Sequence, residues 1–151
     1  LRVIAPGCAV HSDMLLWRND DKVSDVKRQI WNVIFSVVQY SAHLKDLPEE
    51  HKKAISETIK FAEEHRDTLL FGRLIPHHPE LGSPCVEAES AEKRIVVVYQ
   101  SEWITKIPDD SKRVILLNAT TADSLVIETK GGFKRINVKS GEYTELESYG
   151  L

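Results

Sequence analysis

"PGCAVHSDMLLW", residues 6–17, is the stretch whose reading decides the fold. It follows "LRVIA", a short apolar run with a strand's composition. Inside it His11, Ser12 and Asp13 stand in a row against Met14, Leu15, Leu16 and Trp17. A polar triplet held between apolar residues suggests a strand ending at a functional rim. In parallel α/β sheets the chemistry gathers at the carboxyl ends of strands, where successive loops converge. That reading requires a helix and a second strand to follow.

The pattern supplies both. Val23, Val26, Ile30, Val33, Ile34, Val37 and Val38 keep the three–four step of an amphipathic helix, and Trp31 and Phe35 widen its apolar face. Asp20 or Asp21 is placed to cap it. Tyr40, Ala42 and Leu44 then alternate with polar residues, as in a short strand. Leu47-Pro48-Glu49-Glu50 reads as a helix start, with Pro in the first turn and acids favoured by the dipole. Ile55, Ile59, Ala62 and Leu69 form a second stripe, and Gly72 sits where a C′ glycine would close it. Strand, helix, strand, helix predicts one and a half βα units.

Past Gly72 the pattern changes. Pro76, Pro79, Gly82 and Pro84 punctuate a loop-rich stretch. "RIVVVYQS", "WITKI", "RVILLNA", "LVIET" and "FKRINVK" follow, separated by turn residues. Short β-branched runs at this spacing predict a small antiparallel sandwich or barrel. The first helix carries a stripe of large aliphatics, each worth about 1.5–3 kcal/mol when fully buried. One short strand cannot cover it, so further barrel strands are expected upstream. Left uncovered, the stripe would drive self-association, giving a homo-oligomer through the exposed helix face. The expected fold class is therefore α/β plus all-β. Residues 1–72 are the last βα units of a (β/α)8 barrel, and residues 73–151 an appended antiparallel β-sandwich.

Bulk properties narrow the function. The chain has 151 residues, 42% of them apolar, and a formal net charge of −3 with dispersed basic residues. That composition supports a core and excludes a nucleic-acid stripe or an anionic-membrane patch. No apolar run approaches the roughly 20 residues of a membrane span. No signal peptide is visible, and the compartment is left open, with bacterial cytoplasm or periplasm expected. Cys8 and Cys85 are far apart and read as free thiols.

The order of these elements resembles a family. "PGCAVHSDMLLW", its spacer, and "QIWNVIFSVVQYSAHLKDLPEEHKKAISETIKFAEEHRDTL" are similar to the final barrel units of α-galactosidases (melibiases) of the family 27 and 36 type. The likeness covers roughly residues 4–72, and the β half fits the sandwich such enzymes append. The resemblance implies a retaining glycoside hydrolase, with Asp13 and Met14 touching the sugar and His11 and Ser12 flanking them. It places His43, where relatives often carry an acid, near the end of the next strand. Trp17 would offer the sugar ring a flat apolar surface. The nucleophile and acid/base carboxylates of such enzymes lie in segments with no match here. No catalytic residue is therefore assigned, no cofactor or metal is expected, and the chain alone is expected to be inactive. An α-galactoside or related α-linked sugar is the implied ligand. The alternative is a non-catalytic carbohydrate-binding or interaction module working through its β half.

Other features carry less. His77-His78 reads as a solvated loop, because no further ligand stands at metal spacing. His51 and His65 read as surface or helix-end residues, Asn118-Ala-Thr120 as a glycosylation triplet, and Gly131-Gly132 as a hairpin turn.

Overall fold

The computed structural model describes residues 10–110 and 112–146; the "LRVIA" run and Cys8 lie outside the described residues. Strand β1 (His11–Leu15) leads through α1 (Val23–Val33) to β2 (Val37–Tyr40). A single 3-10 turn, Leu44–Asp46, precedes α2 (Glu49–Glu64), and a π-helical turn, Asp67–Phe71, follows it. Eight further strands follow among the described residues: β3 (Arg73–His77), β4 (Cys85–Glu89), β5 (Lys93–Val98), β6 (Ile104–Lys106), β7 (Arg113–Asn118), β8 (Leu125–Thr129), β9 (Gly132–Ile136) and β10 (Tyr143–Leu146).

The strands make three sheets: β1-β2, β10-β7-β5-β4-β3 and β6-β8-β9. The five-stranded sheet is a middle layer, and the alternation of its central strands shows why. In β5, Ile95 and Val97 face one core while Val96 and Val98 face another. Ile115 and Leu117 of β7 join the first core, and Val114 and Leu116 the second. The first core is closed by Trp31, Ile34 and Phe35 from the end of α1 and by Phe61 and Leu69 from α2 and the turn beyond. The second is closed by Leu125 and Ile127 of β8, with Ile107. Side chains of successive strand residues point to opposite faces, so a strand buried on both sides reads as a continuous apolar run.

This corrects the expected fold class. The described chain is mostly β, an α+β arrangement rather than a portion of a (β/α)8 barrel. Parallel pairing in the first half stops at the two strands β1 and β2. The apolar stripe of α1 is not left for a barrel to cover: Val26 and Ile30 are fully buried and Trp31 and Ile34 are 2% exposed, packed against α2, β1-β2 and the middle sheet. Those four residues are buried within the chain, and Val23, Val33, Val37 and Val38 are half-buried. The β half is mixed rather than purely antiparallel, because β5 pairs β7 and β6 pairs β8 in parallel. One core therefore spans the seam expected at residue 72.

Local readings shift too. Val37 and Val38 belong to β2, not to the helix; the helix stops at Val33 and Ser36 Oγ donates to Val33 O. Lys22 is the N-cap of α1 and gives no side-chain bond, while Asp21 accepts from Arg18 N–H in the preceding turn. Gly72 is extended at φ −61° and is not a left-handed C′ residue. It is small for another reason: a Cβ there would stand 2.4 Å from Thr68 O and 2.8 Å from Glu89 O. The hairpin at Gly131-Gly132 is as expected, with Thr129 opposite Gly132 and Gly132 at φ 99°.

Candidate functional site

The polar triplet lies where β1 and β2 run side by side. The two strands are parallel, with His11 opposite Val37, Met14 opposite Gln39 and Leu15 opposite Tyr40. Three residues of β1 are thus matched by two of β2, and the extra residue falls within Ser12–Asp13. Such a slip bends a strand and re-aims its side chains, and it recurs beside functional sites. Here the bent segment is stitched to Gln39: Gln39 N–H donates to Ser12 Oγ (2.9 Å) and Gln39 Nε2 donates to His11 Nδ1 (3.2 Å). Met14 is 69% exposed, an unusual placement for a large apolar side chain in a strand. The result is an open face carrying an imidazole, a hydroxyl, a carboxamide and a thioether. Those groups can donate to and accept from hydroxyls and lay an apolar edge against a ring. Gln39 was not singled out from the sequence; its place opposite Met14 was the signal, and it depends on strand register.

The structure separates the remaining candidates from this face. The side chain of Asp13 lies outside the described residues. Trp17 is 7% exposed and packs in a third core with Val26, Ile30, Leu47 and Ile55. Its ring meets Tyr40 and His51 edge-on, both at 6.4 Å between centroids. The stacking surface expected of Trp17 therefore faces protein, because its large apolar area is worth more buried than exposed. His43 is exposed and stands beyond the end of β2, where its carbonyl accepts Asp46 N–H at the start of the 3-10 turn. His11 and Ser12 are thus brought together, with Met14 beside them, whereas Trp17 lines the core and His43 caps a turn.

Two histidines read as surface residues are buried. His51 is 0% exposed and its Nε2–H donates to Asp21 O (2.9 Å), which ties α2 to the loop before α1. Its Nδ1, like Trp17 Nε1, is buried with no hydrogen-bond partner among the described residues. His65 is 4% exposed, stacked edge-on against Phe61 at 4.5 Å, and accepts from Lys93 Nζ at Nδ1 (3.3 Å). Burial, and next the Lys93 charge, push its pKa below the usual histidine value. The period-3.6 pattern placed both residues on α2 or at its end; what covers them comes from distant segments.

The other marked residues are accounted for by packing. His77 Nε2 contacts Glu87 Oε1 (2.6 Å) and His78 Nδ1 contacts Glu80 Oε1 (2.8 Å), so each imidazole has its own carboxylate. Among the described residues there is no group of three or more metal-ligating side chains. Asn118 is fully buried; Nδ2 donates to Ala122 O (2.6 Å) and Val138 O (2.7 Å), and Oδ1 accepts Thr120 N–H. The folded glycosylation triplet is therefore closed to modification. Burial pushes the Cys85 thiol up to about 12, with the Glu87 charge adding to it, so it is a packed apolar group rather than a nucleophile. No helix among the described residues is long and apolar enough to cross a membrane.

Comparison with protein-family models, with curated proteins and with solved structures finds no match for this chain.

Proposed function

We propose that the chain presents one wall of an α-galactoside-binding pocket in an α-galactosidase-like retaining glycoside hydrolase, and does not itself hydrolyse the sugar. The observation that carries this reading is the slipped β1-β2 ladder, which fixes His11 and Ser12 on Gln39 and leaves Met14 in solvent. It also draws on the sequence resemblance of residues 4–72 to such enzymes, whose barrel architecture the described chain does not share. Carbohydrate recognition needs groups that pair with hydroxyls in both senses and an apolar edge for the ring's C–H face, and this face offers both. Hydrolysis by retention needs two carboxyl groups about 5–5.5 Å apart across the bond, and those are assigned to segments other than the ones matched here.

A second reading keeps the chain as a non-catalytic binding module. It is favoured by the outward face of β6-β8-β9, where Phe133 is 69% and Ile104 45% exposed. Titration of the chain with p-nitrophenyl α-galactoside, followed by NMR, separates the two. Shifts at His11, Ser12 and Gln39 without release of p-nitrophenol are expected. Shifts confined to residues 92–151 would transfer the function to the β half. In the intact enzyme, Asp13→Asn is expected to raise KM and lower kcat/KM; unchanged kinetics would remove Asp13 from the pocket.

A further inference from the structure

A cleft of about 630 Å³ opens between α1, α2 and β10, in the size range of small-molecule sites. Its apolar wall is aromatic. Tyr143 is 48% exposed and its ring is braced by Phe61 (4.6 Å, tilted) and by Trp31 (6.3 Å, edge-on). Trp31 is itself fixed by a bond from Nε1 to Gly141 O (2.7 Å). The tyrosine therefore cannot collapse onto the floor, because two buried rings already fill it.

The polar side of the cleft is built around one ammonium. Lys27 has 10% of its side chain exposed, and Nζ reaches Glu57 Oε2 (3.0 Å) and Glu142 Oε1 (2.9 Å). Those two bonds use two of its three N–H donors, and the hydrogen bonds and ion pairs of Lys27 among the described residues name no third acceptor. Both carboxylates are roughly half exposed and keep a second oxygen, Glu142 Oε2 and Glu57 Oε1, the latter 3.9 Å from Lys53. A held donor between two acceptors, next to an aromatic face, narrows the ligand. Four carboxylates line the cleft with Lys27 and Lys60, and two of them are also met by outer cations, Glu145 by Arg113 and Glu57 by Lys53, so the lining is close to charge-balanced and draws neither an anion nor a cation strongly. A cation at Glu57 or Glu142 would have to compete with Lys27, which already pairs with both. A purely apolar ligand would strip water from a charged rim without replacing it. A neutral polyol meets none of these costs: its hydroxyls donate to the carboxylates and accept from Lys27 while its C–H face lies on Tyr143.

We infer that the cleft bounded by Lys27, Glu57, Glu142 and Tyr143 is a second saccharide-binding site, separate from the β1-β2 face. It does not rest on that face being a sugar site, so each stands or falls by itself. The test is a ¹H–¹⁵N NMR titration of the chain with methyl α-D-galactopyranoside and, in parallel, methyl α-D-glucopyranoside. The expected result is saturable shifts of the Trp31 indole N–H and the Glu142 and Tyr143 amides with at least one of them. Glu142→Gln should weaken that binding about tenfold, the scale of one charge-assisted hydrogen bond, and Tyr143→Ala by a comparable factor through loss of the aromatic face. Gln39→Ala should leave it unchanged and affect only the β1-β2 face. Glu142→Gln replaces a half-exposed group and keeps the test valid if Tyr143→Ala loosens the fold. Absence of saturable shifts at these three reporters with both sugars would overturn the site. So would an affinity unaltered in both cleft variants.

Discussion

Glu87→Gln is the substitution that most sharply tests how the two β layers are held. Glu87 is 2% exposed, on the face of β4 that looks into the second core. Its carboxylate contacts Arg94 Nη1 (2.5 Å) and His77 Nε2 (2.6 Å). Arg94 has 7% of its side chain exposed and spends Nη2 on Asp110 (2.8 Å) and Glu89 (3.2 Å), the latter shared with Lys112. Removing the Glu87 charge leaves a buried guanidinium with only its two outer, more exposed carboxylates. Breaking one side of a buried pair costs about 3–5 kcal/mol, because the remaining ion stays desolvated. Stability in domains of this size totals about 5–15 kcal/mol, so the loss is a large fraction of it. At about 2–4 °C per kcal/mol, Tm should fall by about 6–20 °C. Urea denaturation followed by tryptophan fluorescence measures the change directly. The paired replacement Glu87→Leu with Arg94→Met should recover most of the loss, since Arg94 Nε is already buried without a partner among the described residues and the network is incompletely satisfied. A single variant within 0.5 kcal/mol of the parent, about the scatter of neutral surface changes, would refute this reasoning. So would a double variant no more stable than the single.

Gly72→Ala should destabilise by about 1–3 kcal/mol, because its methyl meets the backbone carbonyls of Thr68 and Glu89 and neither can swing aside; a denaturation midpoint equal to the parent's would show that the β3 entry relaxes. Asn118→Ala should cost more than its size suggests, since it leaves the carbonyls of Ala122 and Val138 unpaired; hydrogen exchange at the β7–β8 connection is the readout, with faster exchange expected. His65 gives a pH dependence of definite sign. Its folded pKa is depressed, so the unfolded chain takes up the proton first as pH falls through about 6.5. The His65 contribution is therefore complete above that value and is lost on acidification below it. His65→Gln should flatten the stability profile below about pH 6.5, above the range of ordinary carboxylates; an unchanged slope would show that the imidazole is solvated.

Local order was legible where a period repeats. The stripe from Val23 to Val38 and that from Ile55 to Leu69 located both helices and overran them, α1 stopping at Val33 and α2 at Glu64, and "RIVVVYQS" and "RVILLNA" read as strands. The continuous burial of β5 and β7 was present in their β-branched runs, but those runs do not say which layer covers each face. The parallel partnership of β5 and β7 was hidden because β6 leaves for the other sheet between them. The polar triplet was legible as a candidate from its composition. Its pairing with Gln39 required the register slip, and the burial of Trp17, His51 and His65 required contacts from segments far along the chain.

The sequence by itself determined the two helices and the apolar strands β5 to β9, because those follow from side-chain period within a few residues. Strands β3 and β4 formed inside the stretch that reads as loop, since what holds them extended is their pairing with each other and with β5. Only the tertiary structure decided what covers the apolar faces. The α1 stripe could be buried by a barrel, by a second copy or by the chain's own sheet with equal hydrophobic gain per unit area. Ile95, Val97, Ile115 and Leu117 supply that cover, and burial of apolar area carries no address in the sequence because it is non-directional.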